Sequence, residues 1–450
     1  MIEHKQTNEL LKRALSYSSA DETEVVMWGL EEQLTRFANN VIHQHVAEAN
    51  CYVIVRAVLG KRIGVGATND LTDAGLEQVV ETACSAAKLC PEDRNFPGLP
   101  EPATVPEIAA FDEATAGCSP ADRAKAVRVI CQQAKAQGCI ASGAFRTGTH
   151  EIAVANSHGL FAYHPVTEAD FTTVVMADSE GSGYAADASW KISDIDVTTR
   201  GEEAIAKALR SRNPQPIEPG DYPVVLESYA VNDLASTISM TAGASFMQEG
   251  RSWLTGRQGK RLMSPLVSVW DDGRDPAGWP LPFDFEGVAR QRVNIVRQGV
   301  AGDALYDRER AIKDGQTTTG HTLPATNPYS PWLNAARYGP ISLHSFMAPG
   351  DSPLEEMIAG TERGIYVSRF WYTRTVHPRE MVVTGMTRDG TFLIERGELT
   401  MPVNKLRFTQ SYVEALAGTE AVGGEVRREW ADPGVCSAPA LKLAAFRFTG

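Results

Sequence analysis

The stretch 221–259, DYPVVLESYAVNDLASTISMTAGASFMQEGRSWLTGRQG, restricts the folds open to this chain more than any other. Tyr222–Leu226 is a short apolar run and reads as a buried strand. After it the period changes. Val231, Leu234, Ala235, Ile238 and Ala242 recur at helical spacing and form one apolar stripe. Ala242, Gly243, Ala244 and Ser245 are small enough to let a second backbone come close. Arg251–Gly259 is polar and glycine-punctuated, so it reads as an ordered loop. A strand feeding such a helix points to a β-rich domain wrapped around one buried helix.

The chain before this stretch has a different rhythm. Residues 5–18 read as a helix, with Leu10, Leu11, Ala14 and Leu15 on one face. Val25–Leu30, Gln33–Ala38, Val41–Val46 and Cys51–Leu59 read as strands, followed by Ile63–Ala67. Asn39-Asn40 and Leu59–Arg62 supply hairpin turns, because Asn and Gly tolerate positive φ. Asp73 is positioned to cap a helix that runs to about Leu89. The same order then recurs, with a helix at Asp122–Lys135 and strands at Phe145–Thr147, Glu151–Ala155, Leu160–His164 and Phe171–Ala177. A helix at Thr199–Arg212 follows. A shift of 117 residues lays Asn39 on Asn156, Gly64 on Gly181, Gly66 on Gly183 and Asp70 on Asp187. This pattern predicts an internal duplication of a helix, strand meander, helix unit, 5–90 and 122–212.

The segment "SRNPQPIEPGDYP" holds four prolines and a glycine and is the best boundary in the chain. The expected organisation is α+β. An N-terminal α/β domain spans 1–212, a linker 213–222, and a β-rich domain 223–450. In the last part, Leu354–Ile358 and Ser411–Ala417 are the expected helices. "RDGTF" and "ERGEL" are expected hairpin turns.

Charge excludes some functions. The 43 basic and 56 acidic residues give a formal net charge of −13. A surface this acidic opposes binding to nucleic acid or to an anionic membrane. The N-terminus is charged and amphipathic, unlike a signal peptide, and no window approaches a membrane span. The seven cysteines form no CxxC pair, so reduced thiols in a cytoplasmic protein are expected.

Motifs for chemistry are sparse. No histidine lies between His164 and His321, so the central helix has no pair of imidazoles for a metal. His43 and His45 share a strand face and could chelate, but "VIHQHV" reads as solvent-facing. No GxSxG, Walker loop or strand–GxGxxG–helix unit is present, and Cys436 is expected to be a buried structural cysteine. "PFDFEG" puts Asp284 and Glu286 on one face when extended. They suit acid–base work or a cation, or else hold a turn through backbone N–H groups and Arg290 or Arg292. "TTTGHTLP" at 317–324 is a polar loop fit to line a cleft, where peptide groups grip an extended chain.

Several segments in order resemble one family. They include "LTRFANNVIHQHV", "VRAVLGKRIGVGATND", "VANSHGLFAYH", "VVLESYAVNDLAS", "FMQEGRSWLTGRQGKRLMSPLVSVWDDG", "PFDFEGV", "GVAGDALYDRERAIKDGQTTTG" and "FLIERGELTMPVNKLRF". From about residue 20 onward the chain is similar to the TldD/PmbA family, also called modulator of DNA gyrase. The resemblance implies two branches that pair. The TldD branch is a zinc peptidase with an HExxxH helix and a later Cys as ligands. The TldE/PmbA branch lacks them and completes a heterodimeric protease for unfolded peptides. Here the matching helix offers Glu227, Asn232 and Asp233 but no histidine, which places the chain with the TldE/PmbA branch. The expectations are no catalytic and no metal residues in this chain, zinc in a TldD-type partner, and homodimerisation as an option for the isolated chain. The candidate peptide or cleft residues are Arg251, Ser252, Glu286 and His321. The alternatives are an autonomous hydrolase using His321, His344, His377 and nearby carboxylates, or a peptide-binding helper in maturing a peptide-derived metabolite.

Overall fold

The computed structural model describes residues 4–178, 180–431 and 434–450. Helix α1 (His4–Ser16) precedes β1 (Glu22–Ala38), β2 (Val41–Leu59), β3 (Arg62–Thr68) and α2 (Asp73–Leu89). After the one-turn α3 (Glu113–Ala116), the order repeats as α4 (Pro120–Ala136), β4 (Ile140–Asn156), β5 (Phe161–Met176), β6 (Ser182–Ser189) and α5 (Val197–Arg210). The strands form one six-stranded sheet in the order β3-β2-β1-β4-β5-β6, so β1 and β4 join the two meanders at its centre. The alternation of a half-buried strand sorts the side chains by face. Val25, Met27, Val53 and Val55 pack under the helices, with Leu11 and Leu76. Val26, Ile54, Ile152 and Val154 turn the other way and meet Leu281, Phe283 and Phe285 of the C-terminal half.

Three sequence expectations change in detail. The strands predicted as pairs of short runs are single long ones. Polar residues such as Glu31, Glu32 and Glu48 look like breaks, but they stay in the ladder, with Glu32 opposite Glu48. Thr72, rather than Asp73, caps α2 by accepting from the Gly75 N–H at 3.2 Å. The glycine correspondence is also shifted. A Cβ on Gly64 would lie 2.1 Å from the Ala83 carbonyl oxygen and 2.3 Å from the Ala87 nitrogen. Gly183, not Gly181, meets α5 in the same way, at 2.1 Å from Ala204 O and 2.7 Å from Ala208 N. The tight Asn39-Asn40 turn between β1 and β2 has a longer counterpart between β4 and β5, where Ala155 pairs with Phe161, and this moves the register.

The C-terminal half begins with β7 (Gly220–Leu226) and α6 (Ser228–Met240). The predicted long helix stops at Met240 and resumes as α7 (Ala244–Gln248). At the break, a Cβ on Gly243 would be 2.1 Å from the Pro340 carbonyl oxygen, so the small residues do admit a neighbouring backbone. Strands β8 (Val269–Asp271), β9 (Val293–Arg297) and β10 (Val300–Ala301) lead to the short helices α8 (Arg308–Asp314) and α9 (Ala335–Tyr338). Then come β11 (His344–Met347), α10 (Leu354–Ala359), β12 (Arg363–His377), β13 (Val382–Glu395), β14 (Glu398–Pro402) and β15 (Arg407–Ser411). The chain ends with α11 (Tyr412–Ala417), β16 (Thr419–Ala431) and β17 (Gly434–Phe448). One sheet orders these as β10-β9-β8-β11-β17-β15-β13-β12-β7, with β14 on β13 and β16 on β17. It wraps α6, whose Ala230, Val231, Leu234, Ala235 and Ile238 are fully buried. Among the described residues, no helix is long and apolar enough to cross a membrane.

Candidate functional site

The apolar stripe of α6 faces the sheet, so its opposite face is left to line a cleft of about 930 Å³. Asn232, Asp233, Ser236, Thr237 and Met240 form one wall, and β12 from Arg369 to Thr375 forms another. Trp332, Tyr338, Glu429 and Trp430 complete it.

Each polar group here is held in a specific state. Asp233 accepts from the Tyr412 hydroxyl at 2.6 Å and from Thr373 Oγ1 at 2.7 Å. Burial raises its pKa, although both hydroxyls favour the carboxylate. Burial likewise pushes Glu429 up to about 7, against a hydrogen bond from Tyr184 and the nearby Arg369 charge. The Asn232 amide approaches Glu429 closely enough to favour its ionised form, yet neither amide atom completes a hydrogen bond of normal geometry. Cys436 is not remote from this helix. It pairs with Glu429 across β16 and β17 and contacts the backbone at Ser236. Burial, then the Glu429 charge, raises its thiol far above the ordinary range.

This donor set does not fit a zinc ion. Zinc is held by imidazoles, thiolates and free carboxylates, three of them from the protein at a catalytic site. The helix presents an amide, a carboxyl already engaged by two hydroxyls, and further hydroxyls, beside a thiol held in its neutral form. Among the described residues, no group of three His, Cys, Asp or Glu side chains is placed to hold a metal.

The four sequence candidates are not brought together. Arg251 is exposed, pairs with Glu249 at 2.6 Å and lies over the Phe246 ring. Ser252 is fully buried and donates to the Thr241 carbonyl at 2.6 Å, fixing the turn after α6. Glu286 is buried against Arg56 of β2 at 2.8 Å, and the same guanidinium reaches Glu24 of β1 at 2.8 Å. Neither expected arginine hydrogen-bonds Asp284 or Glu286, although the Arg290 charge lies close enough to Asp284 to favour its ionised form. Arg292 lies over Trp270, and the two terminal nitrogens of buried Arg290 make no hydrogen bond. Asp284 does hold a turn, accepting from the Glu286, Val288 and Thr322 N–H groups at 3.0, 3.0 and 2.9 Å.

His321 is fully buried, with Nε2 2.9 Å from Asp271 and Nδ1 2.9 Å from Thr319 Oγ1. Asp271 also accepts from Ser342 Oγ and from the Leu343 and His344 N–H groups. His321 is thus anchored inside, while Leu323 and Pro324 of the same loop do line a cavity. Of the three histidines in the hydrolase alternative, His321 and His344 flank Asp271, whereas His377 is exposed on the β12 end. His43 and His45 are exposed.

His344 gives a test of this buried cluster. Neither ring nitrogen has a hydrogen-bond partner, and the ring stacks on Trp279. Burial and then the Arg290 charge lower its pKa to about 3. A base depressed on folding stabilises above its unfolded pKa and loses that contribution as pH falls through the folded value. Urea unfolding at pH 7 and pH 5 is expected to show a smaller loss for His344→Phe than for the parent chain, by roughly 2 kcal/mol. Identical losses would show that this ring does not titrate on unfolding.

A sheet-wrapped helix facing a cleft stands beside an α/β unit in which one order of helices and strands recurs. The chain belongs to the PmbA/TldD family. The family models described as PmbA/TldA metallopeptidase C-terminal domain, central domain and domain 1 match residues 219–450, 99–212 and 30–87. A metalloprotease TldD homolog of Haemophilus influenzae is 25% identical over 242 residues, 52% of this chain and 48% of that protein. The chain thus spans about half the length of several curated relatives it matches. The metalloprotease PmbA homolog of the same organism is 24% identical over 393 residues, 83% of this chain and 80% of that protein. The crystal structure of TldE from Thermococcus kodakarensis has the same fold. It gives a TM-score of 0.89 at 20% identity, over 99% of this chain and 100% of that one. Sequence reasoning missed the aromatic rim of the cleft and the place of Cys436, because strands distant in sequence assemble both.

Proposed function

We propose that this chain is a non-catalytic TldE/PmbA-like subunit of a TldD/TldE-type zinc metalloprotease complex that processes unfolded peptides. One observation carries the reading. The cleft beside α6 is intact at about 930 Å³, but its helix wall is Asn232, Asp233, Ser236 and Thr237. A cleft kept open without imidazoles suits a subunit that shapes a chamber while its partner supplies the metal chemistry. The exposed Trp371, Tyr372 and Val376 beside the cleft supply apolar surface for a protein partner.

The test purifies the chain alone and together with a TldD-type protein, and follows cleavage of an unfolded peptide. The lone chain is expected to show no metal-dependent cleavage and no stoichiometric zinc, with cleavage appearing in the mixture. Robust metal-dependent cleavage by the lone chain would overturn the proposal.

A further inference from the structure

A second cavity, of about 560 Å³, lies between the open face of the six-stranded sheet and the 279–343 region. It is separate in chemistry from the α6 cleft, and Trp430 lines both. Its walls carry Trp28, Tyr52, Trp279, Phe285, Tyr329 and Trp430. Three of these interlock. Tyr329 sits edge-on to Trp28 and Tyr52, with centroids 5.1 and 5.2 Å away. Its hydroxyl reaches the Trp28 and Asn50 carbonyls at 2.9 and 3.0 Å, fastening the loop around Tyr329 over the sheet.

The floor is acidic. On the face of the sheet that lines this cavity, Glu48 stands opposite Glu32, Glu32 opposite Gly148, and Gly148 opposite Glu168. Like charges facing each other across a ladder are unfavourable. Gly148 leaves the row open, since a Cβ there would lie 3.0 Å from Glu168 Oε1. Arg146 offsets part of the charge, at 3.2 Å from Glu32 and 3.7 Å from Glu168, and lies over Trp430 with 5.1 Å to the ring centroid. Three lining carboxylates then face one guanidinium. Glu168 is only 2% exposed, and its Oε2 has no hydrogen bond of normal geometry. His150 Nε2 lies 3.2 Å away without being aligned to donate. Burial alone would raise the Glu168 pKa, but the Arg146 and His150 neighbours hold it down at about 2, so it is anionic.

We infer that this cavity is a binding site for an organic cation with an apolar body, an alkylammonium or guanidinium group seated among Trp28, Trp279 and Trp430 over Glu32, Glu48 and Glu168. Aromatic faces attract such a charge through the ring quadrupole, and a buried carboxylate adds a specific counter-ion. The residual negative charge of the lining matches a guest with one or two positive charges. Lys or Arg side chains of a peptide and free small amines share this chemistry. The inference does not depend on the chain being catalytic or paired.

The test uses the full chain alone and follows its tryptophan fluorescence and calorimetric heat. One arm compares choline with 3,3-dimethylbutan-1-ol, its neutral isostere. The other compares acetyl-Gly-Lys-Gly-amide with the norleucine peptide. The cationic member of at least one pair is expected to bind about tenfold tighter than its neutral match, a difference of about 1.4 kcal/mol. Binding only in the peptide arm assigns the guest to a peptide side chain, and binding only in the choline arm to a free amine. Trp279→Ala and Glu168→Gln are expected to weaken binding about tenfold. Glu48→Gln, an exposed change that leaves the core intact, is expected to weaken it about threefold. Equal binding of neutral and cationic probes, no binding of any probe at 10-millimolar order, or no effect of Glu48→Gln and Trp279→Ala together would overturn the inference.

Discussion

Arg56→Met is expected to destabilise the chain by about 3–5 kcal/mol, the range for removing one member of a buried ionic group. Arg56 lies between Glu24 of β1 and Glu286 of the C-terminal half, at 2.8 Å from each. The exposed fractions of the three side chains are 13%, 4% and 8%, so water screens little of the interaction. Burial and the neighbouring Glu286 already push the Glu24 pKa above the ordinary carboxylate range, with Arg56 as the opposing influence. Without the guanidinium, two carboxyls share a dry site and at least one must take up a proton. An acid raised on folding contributes stability that is present at low pH and lost as pH rises through its folded pKa. The variant's deficit is therefore expected to grow from pH 5 to pH 8. Changing Glu24 and Glu286 to Gln in the same chain removes the uncompensated charge and is expected to recover most of the loss. Equilibrium unfolding in urea reads both effects. A single-variant loss below about 1 kcal/mol would mean that the triad is solvated like a surface pair.

This triad also shows where sequence reading stops. Periodicity located α6, because its apolar stripe repeats within a dozen residues and is buried as the pattern requires. The turns at Asn39-Asn40 and at Leu59–Arg62 were legible for the same local reason, as φ is positive at both asparagines and at Gly60. Glu286 carried no local sign that its partner was Arg56. The pairing depends on how the β1–β2 face meets the 283–286 segment. His321 misled in the opposite direction. Its polar neighbours suggested a cleft, which Leu323 and Pro324 of that loop do line, but the ring itself is buried between the Thr319 hydroxyl and Asp271. Polar sequence marks hydrogen bonding, and only tertiary structure tells whether the partner is solvent, substrate or core. The cavity between the domains was invisible for a similar reason. Trp28, Trp279 and Trp430 are far apart along the chain and converge only when the two halves pack.

The double change Asn232→His and Thr237→His is expected to give the chain a zinc-binding site that the parent lacks. Both positions line the α6 cleft, at the spacing of the two histidines in HExxxH. Cys436 already lies against the same helix at Ser236. Its thiol is neutral in the parent because burial and then Glu429 disfavour the thiolate. A bound dication reverses that balance, since a coordinating thiol is deprotonated outright. Elemental analysis after dialysis is expected to find close to one zinc per chain in the double variant and a small fraction of that in the parent. Adding Cys436→Ser should return zinc to the parent level, because two imidazoles alone bind weakly beside an occupied Asp233 carboxyl. Ligand binding to the folded state should also raise Tm with added zinc in the double variant only. The result separates two explanations of the metal-free cleft. Zinc in the double variant shows that the pocket geometry is preserved and only the donors have changed. A double variant that folds but takes no zinc shows that the walls have moved as well, and stoichiometric zinc in the parent would remove the basis for a non-catalytic subunit.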